Sequence, residues 1–251
     1  MTPIDLLLRP AHPADLAEIA ELFIATRRAA VPAMPQLVEG DEEIRDWFDG
    51  LTLGTGSGAK EIWVAETDAL GGGDILGFAV LDEGWLDSIY VGPQHQARGI
   101  GSALLEVVKA QRPRGFALWV FATNTSARGF YHRHGLIELE HTDGSANAER
   151  SPDVRMAWPG EQAIEYLRGQ IDEVDDELAI LLARRFALTA AVQGYKATPG
   201  KRGRDLDRER AIADRMAAHT PGLDADAIGR IMRTVIEESL EAYDARVERD
   251  R

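Results

Sequence analysis

Beyond Pro159–Gly160 the strand-like alternation of this chain stops and does not return. From Leu167 to Lys196 apolar side chains recur at helical spacing, punctuated by Arg168, Arg185 and Lys196. An apolar stripe of that period marks an amphipathic helix. The pattern predicts one helix from about Glu161 to Lys196. A second spans about 205–218, ended by Thr220-Pro221-Gly222, and a third spans about 224–247. A helix as long as the first is held by tertiary packing rather than by propensity. One long and two shorter helices leave much of the long stripe uncovered in a single copy. The pattern therefore predicts a homodimer through this region.

Residues 1–159 read differently. LLLRPA (6–11) is a short strand stopped by proline, and 13–29 is an amphipathic helix with a proline start. Residues 40–51 form a second short helix, and EIWVAETD (61–68) a strand. Residues 74–93 give a hairpin turning at Asp82–Gly84, followed by a glycine-rich turn and a helix up to about 112. A strand (116–124), a helix closed by Gly135 and two final strands around a polar loop (142–152) complete the order. The expected class is α+β: a mixed sheet with flanking helices over 1–159, then an all-α three-helix domain over 160–251.

Composition narrows the function. The 251 residues are 45% hydrophobic and 28% charged, enough apolar material for real cores. The formal net charge of −14 is the wrong sign for a general nucleic-acid binder. There is no cysteine, which excludes disulfides, thiolate metal sites and cysteine nucleophiles. No apolar run approaches the roughly 20 residues of a membrane span, and the first residues do not read as a signal peptide. A cytoplasmic location is the default expectation. Residues 161–251 hold 19 acidic and 15 basic residues, a net of −4 that leaves −10 to residues 1–160. That balance fits a basic pocket inside an acidic shell.

Two constellations carry chemistry. In the first, Gln96-Ala97-Arg98-Gly99-Ile100-Gly101 joins the strand at Ile89–Val91 to a helix beginning near Ser102. Glycines let backbone approach a ligand closely, and free N–H groups at a helix N-terminus bind phosphate oxygens. Arg98 can add a charge. The spacing matches neither the dinucleotide fingerprint nor a P-loop. LDSIYVGPQHQARGIGSALLEVV (86–108), VFATNTSARGFYHRHGL (120–136) and the opening RPAHPADLAEIAELF together resemble the GNAT superfamily of acyl-CoA-dependent N-acetyltransferases, over roughly 5–158. The resemblance implies acetyl-CoA as cofactor. Backbone groups of Gln96, Ala97, Arg98, Gly99, Ile100, Gly101 and Ser102 would hold its pyrophosphate. Ile89, Tyr90 and Val91 would line the pantetheine arm, and Asn124 would contact it. Tyr131 would protonate the leaving thiolate. For the base, Asp87, Glu83, Glu39 and His95 stand as candidates beside a water-mediated route. Asp87 and Ser88 should point to opposite faces of their strand. The amine acceptor is unread.

The second constellation is the cation set of the helical part. Arg168 and Arg185 are 17 residues apart, about 25 Å along one helix axis, too far for one small ligand. An antiparallel partner helix would bring Arg168 of one subunit to Arg185 of the other. Arg185 and Lys196 share a face, and Asp205, Arg208 and Glu209 place both signs on the second helix. LRGQIDEVDDELAILLARR (167–185), YK (195–196), DLDRER (205–210) and IEESL (236–240) resemble the AroQ class of chorismate mutases over about 161–247. The resemblance implies an intertwined dimer and a chorismate-like dianion as substrate, with no cofactor and no metal. Arg168, Arg185 and Lys196 would grip carboxylates, with Lys196 also donating to the ether oxygen. Asp205 and Arg208 would organise that end of the pocket, Glu209 would hold the ring hydroxyl, and Ser239 would lie near a carboxylate. Tyr243 departs from the family, which places Gln or Glu there as second donor to the ether oxygen. The implied whole is a bifunctional chain: chorismate mutase plus acetyltransferase. The alternatives are a helical domain that binds chorismate-like acids for regulation or dimerisation, or an isochorismate pyruvate lyase.

Overall fold

The protein is represented by a computed structural model, in which residues 6–67, 73–195, 205–220 and 222–249 are described. The chain divides into two compact units, Met1–Arg168 and Gly169–Arg251.

The first unit is built on one seven-stranded sheet. Its strands are β1 (Leu6–Pro10), β2 (Glu61–Thr67), β3 (Ile75–Asp82), β4 (Trp85–Val91), β5 (Phe116–Phe121), β6 (Ile137–His141) and β7 (Asp153–Trp158), in the order β1-β2-β3-β4-β5-β7-β6. Its helices are α1 (Leu16–Ala29), α2 (Asp41–Asp49), α3 (Ile100–Gln111) and α4 (Thr125–Arg133). The order of elements is the one the periodicity predicts. The central strand β3 is buried from Ile75 to Leu81, so it reads as a continuous apolar run rather than an alternation.

The two sheet faces carry separate cores. On one, Leu16, Ile19, Ala20 and Ile24 of α1 and Phe48 of α2 pack on Val64, Phe78 and Val80. On the other, Leu104, Leu105 and Val108 of α3 and Tyr131 of α4 pack on Ala79, Leu118 and Met156. Each large side chain fully buried in this way stabilises the fold by about 1.5–3 kcal/mol. The sheet alternation shows in β4: Tyr90 joins the α1 side, Ile89 and Val91 the α3 side.

Two irregularities in β4 set the shape of the sheet centre. Every neighbouring pair of strands is antiparallel except β4 and β5, which are parallel and meet only at Trp85 and Ala117. Beyond that pair the two strands part and leave a wedge in the sheet. The β3–β4 register also shifts. Val80 faces Ser88 but Leu81 faces Leu86, so Asp87 is an extra residue on β4, the arrangement of a β-bulge.

The second unit consists of helices. The chain continues as α5 (Ala163–Tyr195), which begins before the division between the units, then α6 (Leu206–Ala217) and α7 (Ala225–Arg249). Asp205 and Asp224 cap the two shorter helices, accepting from Arg208 N at 3.0 Å and Ala227 N at 2.7 Å. Ala213, Ile228 and Met232 form the α6–α7 core. Ile171, Val174, Leu178, Leu181 and Leu188 of α5 are exposed. Among the described residues, no helix is long and apolar enough to cross a membrane.

Candidate functional site

The wedge between β4 and β5 opens into a cavity of about 930 Å³. Its walls come from both faces of the sheet. Phe23, Thr26 and Arg27 of α1 stand on one side, and the turn before α3, with Ala127, Phe130 and Tyr131 of α4, on the other.

Of the residues predicted to bind acetyl-CoA, Ile89, Tyr90 and Val91 line the cavity along β4. Gln96, Ala97, Gly99, Ile100, Gly101 and Ser102 line it along the turn, and Asn124 from the start of α4. Arg98 is exposed and lies outside the lining. Ala97 and Gly99 both have left-handed backbone, with φ of 58° and 86°. Gly99 is the N-cap of α3. Left-handed residues set before a helix turn successive amides towards one side and form an anion-binding concavity. Gln96 braces the turn, its Nε2 donating to Val91 O at 3.2 Å. Asn124 accepts from Ala127 N at 3.1 Å, so its carbonyl caps α4 while the residue still reaches the cavity. Ser102 Oγ lies 3.0 Å from His134 Nε2.

Tyr131 lines the cavity and is only 7% exposed. Burial pushes its hydroxyl well above the ordinary phenol range, so it stays protonated. A neutral phenol beside the wedge is a proton donor and not a base.

The base candidates separate. Glu39 and His95 line the cavity. Asp87 and Ser88 both do, as a cavity walled from both sheet faces allows. Asp87 is held by Lys60, whose Nζ donates to it at 2.6 Å. Glu83 is removed from the set: it sits at the β3–β4 turn, where its carbonyl accepts from Arg112, and lines a different cavity.

Two residues of this cavity escape the motif reading. Arg27, 3% exposed, donates through Nη2 to Glu149 at 2.6 Å. Its guanidinium also lies 5.5 Å from the centre of the Phe121 ring. The signal was present in the periodicity: Arg27 follows Ala20, Phe23 and Ile24 by seven, four and three residues and so falls on the buried stripe of α1. Glu149 had no such signal, because it lies on the loop between β6 and β7.

In the helical unit, Arg185 of α5 donates through Nη1 to Ser239 Oγ of α7 at 3.0 Å. Ser239 is 2% exposed and donates in turn to Val235 O. Tyr243 follows Ser239 by one turn on α7 and is half-buried. Asp205 is spent on capping α6. Glu209 is half-buried on the first turn of that helix, and Arg208 is exposed. Arg168 is exposed on α5. Lys196 lies outside the described residues.

Two family profiles match separate stretches of this chain. One, described as "Acetyltransferase (GNAT) domain", covers residues 58–136, which include the wedge strands and the turn before α3. The other, described as "Chorismate mutase type II", covers residues 167–243, from the first helical arginine region to Tyr243. The chain is a GNAT-family acetyltransferase domain fused to a type II chorismate-mutase-like domain. Both belong to enzyme families. The acetyltransferase part is similar to the Escherichia coli K12 protein named peptidyl-lysine N-acetyltransferase YiaC. The two are 27% identical over 163 residues, 63% of this chain and 100% of the relative. Among solved structures it is similar to apo-form YjaB from Escherichia coli, 19% identical with a TM-score of 0.49 over 62% of this chain and 98% of that one. A GCN5-related N-acetyltransferase from Rhodopseudomonas palustris is 22% identical, with a TM-score of 0.48 over 63% and 98%. Within the acetyltransferase domain the cavity residues from Leu86 to Ser102 and from Leu118 to Tyr131 fall inside the matched stretch. Arg27 and Glu149 fall outside it.

Proposed function

We propose that residues 1–159 transfer an acetyl group from acetyl-CoA to an amine, and that residues 160–251 rearrange chorismate to prephenate as a homodimer. The observation that carries the first half is the wedge: parallel strands joined at a single pair, opening into a cavity with a left-handed turn at a helix N-terminus on one side. The free amides at the start of α3 suit a pyrophosphate. The β4 edge facing the wedge, beyond Trp85, has no β5 partner and suits the amides of a pantetheine arm. Acetyl-CoA supplies a thioester whose carbonyl carbon accepts the amine. The new C–N bond forms as the C–S bond breaks. Tyr131 gives its proton to the departing sulfur, and the amine's surplus proton passes to Glu39, His95 or water.

In the helical domain, Arg185 is already fixed by Ser239, a fork set for a carboxylate. Arg168 of a second copy and Lys196 complete the grip, with Asp205 and Arg208 ordering that end and Glu209 on the ring hydroxyl. Tyr243 offers a phenol to the ether oxygen. The rearrangement is unimolecular and needs no nucleophile. The protein holds the reactive conformer and stabilises charge developing on that oxygen. The exposed apolar residues of α5 support the second copy.

The test is loss of chorismate absorbance on adding the full chain, with products separated by chromatography. Prephenate is the expected product. No turnover by folded, dimeric protein removes the mutase reading, and pyruvate released from isochorismate replaces it with the lyase. Release of free CoA from acetyl-CoA in the presence of amines tests the other half.

A further inference from the structure

We infer that the acceptor of the acetyltransferase domain carries a carboxylate close to its amine, as a free amino acid or a similar zwitterion does, and that Arg27 and Glu149 recognise the two charges. The inference rests on the acetyl-transfer reading and names the substrate class of the same cavity.

The α3 side of the cavity holds the anion-binding turn and Tyr131. The α1 side holds Arg27, Glu149, Tyr90 and Thr26. A guanidinium as buried as that of Arg27 is strongly disfavoured unless it is paired. One donor goes to Glu149 Oε1. A guanidinium has five N–H donors, so Arg27 keeps a fork available for a carboxylate on the cavity wall. Glu149 uses one oxygen on Arg27 and keeps the other for an ammonium.

Glu149 is held for this purpose by its loop. Asn147 donates to Ser151 O at 2.8 Å and to Asp153 Oδ2 at 2.9 Å, Ser151 N returns a bond to Asn147, and Thr142 closes onto Asp153. Asp153 is itself buried. Beside the pair, Thr26 Oγ1 is buried with no hydrogen-bond partner among the described residues. A buried orphan hydroxyl is uncommon and costly, and a polar ligand on this wall would satisfy it.

One wall therefore presents a cation, an anion and a free hydroxyl. A zwitterion satisfies all three. The side-chain ammonium of a lysine within a peptide has no carboxylate of its own beside it, so it could engage Glu149 but would leave the Arg27 fork without an anion. The zwitterion binds as an ammonium and loses one proton to water or a cavity carboxylate. The neutral nitrogen then forms the C–N bond while the C–S bond breaks and the sulfur takes a proton from Tyr131; the proton still carried by the acylated nitrogen leaves to water, from which Tyr131 is reprotonated.

The experiment uses the full chain with acetyl-CoA and reads free thiol. Each standard amino acid is compared with its decarboxylated amine, and a lysine-containing peptide with blocked termini is included. At least one free amino acid is expected to exceed its amine by about a hundredfold or more in kcat/KM, since a site built to bond a polar group rejects the analogue lacking it. R27K should collapse that ratio by raising KM for the acid while leaving KM for acetyl-CoA unchanged. E149Q should raise KM for both members of each pair. Amines or the peptide turned over as well as any amino acid, or no amino acid turned over at all, overturns the inference, and the wild-type comparison decides this even where a variant fails to fold. Acetylation of the peptide alone leaves the acetyl-transfer reading intact. Absence of acetyl-CoA binding by calorimetry removes that reading itself.

Discussion

Burial fixes the protonation of Tyr131 before any ligand arrives. Because its pKa is raised above the ordinary 10.0, the phenol keeps its proton throughout the working range, and a fall in rate below about pH 10 belongs to another group. Tyr131→Phe is expected to lower kcat by about a hundredfold with acetyl-CoA affinity unchanged, read by thiol release and calorimetry. Asp15 gives the opposite sign. Arg9 bonds it at 2.7 Å and holds its carboxyl below the ordinary 3.8. A depressed carboxyl contributes stability above its unfolded pKa, and this is lost as pH falls through the lower folded value. Asp15→Asn should therefore cost about 1 kcal/mol near pH 7, and the gap from the wild type in urea midpoint should close below about pH 3. At this scale the sequence was most legible where a motif spans consecutive positions, as from Gln96 to Ser102. Arg27 was legible only as a charge on an apolar stripe. Glu149 was not legible at all, since nothing local says which helix a loop carboxylate will meet.

Elements were read well because each helix and strand carries its own period. The three helices of the second unit end within a few residues of their predicted limits, and Pro, Gly and Asp mark most of those ends. What escaped was pairing. The bulge at Asp87 and the single β4–β5 contact are relations between strands, and neither leaves a mark in one strand's sequence. The turn into α3 can be tested as an element. Gly99 has open space where a Cβ would go, so its φ of 86° alone makes glycine the suitable residue. Gly99→Val should destabilise the domain by about 1–2 kcal/mol and weaken acetyl-CoA binding, as measured by thermal unfolding and calorimetry. Full-strength binding by the variant would show that the left-handed turn does not set the anion site.

For the molecule as a whole, the long stripe of α5 made the strongest demand of any segment, and one copy does not cover it. The proposed homodimer should appear as twice the 27.5 kDa chain mass in sedimentation. Arg168→Ala and Arg185→Ala chains should each lose chorismate turnover, while verified mixed dimers of the two should recover part of it. Mixed dimers as inactive as their parents would show that the site is not shared. The sheet carries a different consequence at this scale. A cavity walled from both faces would let the proposed thioester lie on the α3 side and the proposed amine on the α1 side, so that neither has to leave before the other binds. Chemistry through such a slot is direct and needs no acetylated protein as a way station. Initial rates at varied concentrations of both substrates should give double-reciprocal lines that cross, where a relay through the protein would give parallel ones.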